Sequence, residues 1–197
     1  MADSLFLLLP AKRGHFKYES GHHGDLWVDL ERLCLHVEPI RRFAAELAKR
    51  LAPHGIEVVC GPLVEGAFVA LLVAEALDVP FTYTVRIDTG VDSLFPIEYH
   101  LPEVLRAEIR GRRVAIVNDV ISAGSAVGGT LRDLIACGSR PVAIGTLAVF
   151  GDTPVRLAAD HSLPLVALAS LSSTIWPPSE CPLCAEGIPL SQEPPSA

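Results

Sequence analysis

The residues best suited to chemistry lie in one run, Val114 to Thr130, VAIVNDVISAGSAVGGT. An apolar strand is expected to end there in a polar pair, Asn118-Asp119, and a loop of small residues, Ser122-Ala123-Gly124-Ser125-Ala126, leads directly into a helix. At the carboxyl edge of a parallel sheet, such a loop turns successive backbone N–H groups, two hydroxyls and the positive end of a helix toward one anion. This is a phosphate cradle made without lysine. A P-loop requires Gly-x-x-x-x-Gly-Lys-Ser/Thr, and the dinucleotide fingerprint G-x-G-x-x-G is not matched by Gly124, Gly128 and Gly129. The bland alternative is an ordinary strand-to-helix turn.

A second turn of similar build runs Cys60-Gly61-Pro62-Leu63-Val64-Glu65-Gly66-Ala67. A third feature is the pair Cys181 and Cys184, at the spacing of a knuckle that gives two thiolates to zinc. One pair is half of a tetrahedral site. The other ligands would come from Cys34 and His36 or from a second subunit's pair, and a metal-free structural turn is an equal alternative. A redox pair fits less well, because the knuckle opens no helix in a thioredoxin-like βαβ unit.

These residues need a frame. Apolar residues at Ile40, Phe43, Ala44, Leu47, Ala48 and Leu51 predict a helix over Glu38 to Ala52. Ile56 to Cys60 reads as a buried strand, Gly66 to Leu77 as a helix and Val79 to Val85 as a strand. Arg113 to Val117, Gly124 to Ala136 and Pro141 to Val149 repeat the alternation, which implies βαβ crossovers and a mostly parallel sheet covered on both faces. Leu5 to Leu9 is expected to be a buried first helix rather than a secretory segment.

The chain has 197 residues, half of them hydrophobic, and a formal net charge of −7. That composition describes a soluble α/β domain and argues against a nucleic-acid binder, whose affinity would need clustered positive charge. No apolar run approaches the ~20 residues of a membrane span. Unpaired cysteines in apolar contexts (Cys34, Cys60, Cys137) fit a reducing, cytoplasmic setting. The only lysines are Lys12, Lys17 and Lys49, so later chemistry that needs a cation must use Arg, a metal or backbone dipoles.

The 114–130 stretch resembles the phosphoribosyl pyrophosphate motif of type I phosphoribosyltransferases: apolar strand, two acids, apolar pair, then Thr/Ser-x-Gly-Thr/Ser. The resemblance places Asn118 and Asp119 on the acidic pair that holds the ribose hydroxyls, and Ser122 to Ala126 on the loop around the 5-phosphate. The segment Gly61-Pro62-Leu63-Val64-Glu65-Gly66 resembles the pyrophosphate loop of orotate phosphoribosyltransferases in particular, and Arg86 matches an arginine aimed at pyrophosphate. Phe16 to Asp29 resembles the family's amino-terminal segment, which makes Trp27 a base-stacking candidate or a core residue and His23 a base-side candidate; Arg156 is a further base-side candidate, a few residues beyond the place just after Phe150 where the family has an arginine and this chain has none. The implied fold is a parallel-sheet phosphoribosyltransferase with helices on both faces, divided into a hood segment (1–37), a core (38–172) and a Pro-rich CxxC tail (173–197).

The implied activity is transfer of the phosphoribosyl group from phosphoribosyl pyrophosphate to a nucleobase, orotate above all, with Mg²⁺ as cofactor, a homodimer as the assembly, and Asp119, Asn118 and Arg86 as the catalytic group. The pattern departs from the family at several places, among them His22-His23 in place of a basic pair. Glu65 stands where a lysine is usual, and the loop Ile87 to Arg112 carries no lysine, leaving His100 as a substitute. Asn118 lacks the charge of an acid, which implies weaker or redirected turnover, since a lost charge-assisted hydrogen bond costs about 1.5–3 kcal/mol. The alternatives are therefore a transferase for a different base and a non-catalytic phosphoribosyl pyrophosphate sensor.

Overall fold

Alternation decides the layering. In the strand β3 (Val58–Pro62) and the strand β6 (Arg113–Ile121), successive residues point to opposite faces of one sheet. Val59, Ala115 and Val117 bury against one apolar cluster, whereas Val58, Cys60, Val114 and Ile116 bury against another. A strand that is apolar on both faces can only be stable with helices on both sides, and that is how the molecule is built. The computed structural model describes residues 5, 9, 11–18, 21–30, 33–88 and 97–191.

The first face is covered by α1 (Val37–Leu51) and α2 (Glu65–Leu77). The second carries α3 (Glu103–Ile109), α4 (Ser125–Ala136) and α5 (Thr153–Asp160). Between them lies a six-stranded sheet in the order β5-β4-β3-β6-β7-β8, where β4 is Phe81–Asp88, β5 Ile97–His100, β7 Arg140–Phe150 and β8 Leu165–Leu171. All neighbours pair in parallel except β5, which runs antiparallel on the β4 edge. The expected mixed α/β architecture with a mostly parallel sheet is present.

A second, smaller sheet joins the two ends of the chain: β1 (Ala11–Lys17), β2 (His23–Val28) and β9 (Ile175–Trp176) in that order, all antiparallel. Asp25 fastens it to the main sheet's exit segment, accepting hydrogen bonds from Arg13 Nη1 at 2.6 Å, Ser173 Oγ at 3.0 Å and the Thr174 amide at 3.0 Å. The sequence suggested a separate tail after residue 172, but Trp176 pairs with His23 and so the start of that segment is part of the hood sheet. The short helix α6 (Pro182–Ala185) follows. Of the expected first helix, only Leu5 and Leu9 are among the described residues, and both are buried. No described helix is long and apolar enough to cross a membrane.

Two further expectations need correcting. The strand expected to stop at the Asn118-Asp119 pair continues to Ile121, because pairing with β7 persists through Val120↔Ala148 and Ile121↔Val149. The long loop expected over 87–112 is largely structured: β4 runs to Asp88, β5 returns along it and α3 follows, while residues 89–96 lie outside the described residues. His100 therefore sits in β5 rather than in a loop.

His100 belongs to a polar knot that pins β5 and α3 to α4. Asp133 accepts from the Leu101 amide at 2.8 Å, from Arg106 Nη1 at 3.0 Å and from His100 Nδ1 at 3.0 Å, while His100 Nε2 lies 2.7 Å from Glu98. Burial alone would raise the Asp133 pKa, but the donors from Leu101, His100 and Arg106 outweigh it and hold the carboxyl below its usual range. Hydrogen bonds to Glu98 first and Asp133 second raise the His100 pKa above 6.5. A raised folded pKa means that this stabilisation is complete below 6.5 and disappears as pH rises through the folded value. His100→Gln should therefore destabilise the protein at pH 6 by up to about 1 kcal/mol, the ceiling for a well-exposed pair. Urea denaturation should show that loss shrinking toward pH 9, and an equal loss at both pH values would contradict the assignment.

Candidate functional site

Strand register brings the candidate residues to one level. Cys60 lies opposite Thr82 on one side and Ile116 on the other, and two residues further along β3 Pro62 lies opposite Thr84, while Asn118 follows Ile116 by two residues in β6. Asn118 in turn is opposite Thr146. Beyond these residues emerge the 62–66 turn, Arg86 and the 119–126 segment, the position at which open parallel sheets bind ligands.

Asn118 is locked in place. It is buried, and its Nδ2 donates to the Val120 carbonyl at 2.7 Å, a group that can only accept, which turns Oδ1 toward Gly66. Gly66 is required for this approach: a Cβ there would stand 3.0 Å from Asn118 Cγ and closer still to Oδ1. Gly61 is needed for a similar reason, since its Cβ would meet Ala70 Cβ at 2.6 Å and Ala67 Cα at 2.8 Å and push α2 off the sheet. The peptide between Leu63 and Val64 is cis, Val64 is exposed, and α2 opens at Glu65.

Asp119, next to Asn118 in the strand, is also buried. Its backbone carbonyl accepts from Thr146 Oγ1 at 2.9 Å, and the same hydroxyl bonds the Ala148 carbonyl at 3.0 Å. Past Asp119 the chain turns through Ser122 and Ala123 to Gly124, whose φ of 78° is left-handed and suits glycine. No side chain caps α4, so its first N–H groups face outward at the loop, the arrangement that favours an anion. Ser122 Oγ is buried and has no hydrogen-bond partner among the described residues. Ser125 is exposed at the helix start and Ala126 half-buried. A buried hydroxyl awaiting a partner, beside uncapped amides and a left-handed glycine, fits a phosphate group.

A family model of the phosphoribosyl transferase domain matches residues 30–176. The chain belongs to this phosphoribosyltransferase family. It is 32% identical to the orotate phosphoribosyltransferase of Heliobacterium modesticaldum over 179 residues, covering 89% of this chain and 86% of that one. The orotate phosphoribosyltransferase of Thermotoga maritima is 30% identical over 179 residues, 91% of this chain and 89% of that protein. Among solved structures, the orotate phosphoribosyltransferase from Aeropyrum pernix superposes with a TM-score of 0.62 at 22% identity, covering 86% of this chain and 93% of that one. An adenine phosphoribosyltransferase from Thermoanaerobacter pseudethanolicus superposes with 0.69 at 14% identity, covering 87% and 100%. The fold is thus shared across transferases whose names differ in the base.

Within this phosphoribosyltransferase the remaining candidates are spread out. Arg86 is exposed on β4, beyond the Pro62–Thr84 row. Arg156 is exposed on α5, and its neighbour Leu157 packs over the 122–126 loop, with Cδ2 3.0 Å from where a Gly124 Cβ would be. Trp27 is half-buried in the hood sheet, its ring 5.9 Å from that of Phe16. His23, expected on the base side, is buried instead beside His15, with Nδ1 3.0 Å from His15 Nε2 and 3.2 Å from Cys184 Sγ. Cys34 packs against the core and His36 is exposed, and neither is in this cluster: the residues beside Cys181 and Cys184 are His15 and His23, not the pair the sequence suggested. His15 carried no motif of its own. The available signal was a pair of histidines on adjoining hairpin strands together with a distant C-x-x-C.

The Asn118 contacts generate a prediction. A carboxylate in its place would set an oxygen against the Val120 carbonyl in a buried site. Asn118→Asp should therefore lose about 1–3 kcal/mol of stability without ligand, the cost of an unsatisfied buried acceptor. Chemical denaturation measures it, and an unchanged midpoint would contradict the amide's anchoring role.

Proposed function

We propose that this phosphoribosyltransferase moves the 5-phosphoribosyl group from phosphoribosyl pyrophosphate to a ring nitrogen of orotate and releases pyrophosphate. The observation that carries the transfer chemistry is the Gly66–Asn118 approach, which sets a pyrophosphate-type turn against the strand end that holds Asp119. The choice of orotate rests on relatives of that name, 28–32% identical over about nine-tenths of the chain.

The bond from the anomeric carbon to the pyrophosphate oxygen breaks and one to the base nitrogen forms. Positive charge grows on the sugar ring and negative charge on the leaving group. Asp119, held by its strand and buried, supplies the anion near the ring and accepts from the ribose hydroxyls. Ser122 Oγ and the amides of 123–126 hold the 5-phosphate, and Arg86 with the backbone of 61–66 holds the pyrophosphate. Mg²⁺ suits this site because a carboxylate and substrate oxygens are the hard donors it prefers, and when bound it neutralises the leaving pyrophosphate. With no lysine after Lys49, that neutralisation has few substitutes. Trp27 and Arg156 are the chain's candidates for the base side.

The reading extends to a homodimer and to the cytoplasm. The exposed apolar residues Phe68 and Leu71 on α2, with Leu35 and Val37 before and in α1, support a self-association surface. None of the five cysteines is in a disulfide, which suits a reducing compartment.

The test is pyrophosphate release from phosphoribosyl pyrophosphate and Mg²⁺ with orotate, adenine, guanine, hypoxanthine and uracil in turn. Orotate should give the highest kcat/KM, and Asp119→Asn should lower kcat about a hundredfold, the scale of one preorganised charge contact. Turnover preferring a purine would overturn the base assignment. Tight binding of phosphoribosyl pyrophosphate with no release from any base would favour the sensor reading instead.

A further inference from the structure

Four side chains from the two ends of the chain converge beneath the hood sheet: His15 on β1, His23 on β2, and Cys181 and Cys184 at the start of and within α6. One donor atom from each lies within 4.8 Å of all the others. Around a tetrahedral zinc with Zn–N of about 2.0–2.1 Å and Zn–S of about 2.3 Å, the ligand atoms stand about 3.3 Å apart for N and N and about 3.5 Å for N and S. Here His15 Nε2 is 3.0 Å from His23 Nδ1, 3.4 Å from Cys181 Sγ and 3.6 Å from Cys184 Sγ, and His23 Nδ1 is 3.2 Å from Cys184 Sγ. These four of the six donor-to-donor distances fall close to the tetrahedral values, and the other two are no longer than 4.8 Å.

The surroundings select the ligand atoms. His15 Nδ1 lies 2.7 Å from the Ile188 carbonyl, which can only accept, so Nδ1 carries the hydrogen and Nε2 presents a lone pair to the cluster. A ligating histidine whose other nitrogen donates to a backbone carbonyl is the usual outer-shell arrangement at zinc. His15, His23 and Cys181 are buried, which leaves no room for a substrate to reach a fifth position from their side. Cys184 is exposed at the edge of the cluster, and two thiolates would cancel the charge of a divalent cation, so the three buried ligands need no further counter-ion.

We propose that this phosphoribosyltransferase holds a structural Zn²⁺ through His15 Nε2, His23 Nδ1, Cys181 Sγ and Cys184 Sγ, fastening α6 and the chain after it to the hood hairpin. Four protein ligands of the S₂N₂ type favour zinc over magnesium, and a closed coordination sphere gives the ion no part in group transfer. The ion closes a loop from residue 15 to residue 184 and holds in place two contacts of the same segment, His15 Nδ1–H to Ile188 and the Ser191 amide to the His15 carbonyl at 2.6 Å. The proposal is independent of which base the enzyme uses.

The experiment is elemental analysis of the full chain, purified tag-free without added metal, followed by exchange with Co²⁺. The expected result is about one zinc per chain, and for the cobalt form the intense visible bands of tetrahedral coordination with thiolate-to-cobalt charge transfer. Cys184→Ser should lower the zinc content at least fivefold, while Cys34→Ser, outside the cluster, should leave it unchanged. If Cys184→Ser fails to fold, the cobalt spectrum of the wild-type chain decides alone. Less than about 0.2 zinc per chain with no tetrahedral cobalt spectrum would overturn the proposal and leave a hydrogen-bonded cluster, as would retention of zinc by Cys184→Ser.

Discussion

The closest constraint in the molecule is the approach of Gly66 to Asn118. Two crossovers, through α2 and through α4, leave the same sheet edge from adjacent strands, and the first residues of one lie against Asn118 in the strand that leads into the other. Any side chain at Gly66 would displace the Asn118 amide, break its bond to the Val120 carbonyl and move the strand end that carries Asp119. On the function proposed, the 61–66 turn and the Asn118-Asp119 segment share one substrate molecule, so their spacing has to be fixed before it arrives. Backbone-to-side-chain contact fixes it with less freedom than two facing side chains would.

The acidic balance of the chain takes on a specific meaning at this edge. On the function proposed, a substrate rich in phosphate charge meets almost no lysine, and the compensating positive potential is assigned to amides at the start of α4, the backbone of 61–66 and Arg86. These groups are held by the sheet and cost little reorganisation when charge moves. The histidine that sequence offered as a replacement cation, His100, is engaged elsewhere, because Asp133 and Glu98 bind it against α4.

Much of this was legible in the sequence. The two-faced apolar strands, the helices between them and the small-residue turns have local signatures, and each emerged within a few residues of its expected bounds. What was not legible depended on distant pairing. The strand through Asn118 and Asp119 runs longer because β7 continues to pair with it, which no local pattern encodes. Thr146 looks like an ordinary strand residue until its hydroxyl is found on the Asp119 carbonyl. His15 joins Cys181 across 166 residues, and β9 is only two residues long, too short for any periodicity.

The central claim is that residues 61–66 and 118–126 form one phosphoribosyl pyrophosphate site whose geometry depends on the bare Gly66 backbone. Equilibrium titration of wild type and Gly66→Ala with phosphoribosyl pyrophosphate and Mg²⁺, in the absence of any base, tests it most directly. The account predicts saturable binding at one site per chain for wild type and an affinity at least tenfold weaker for the variant, equivalent to about 1.4 kcal/mol or more. Equal affinity in the two proteins would contradict it, as would a wild-type chain that does not saturate.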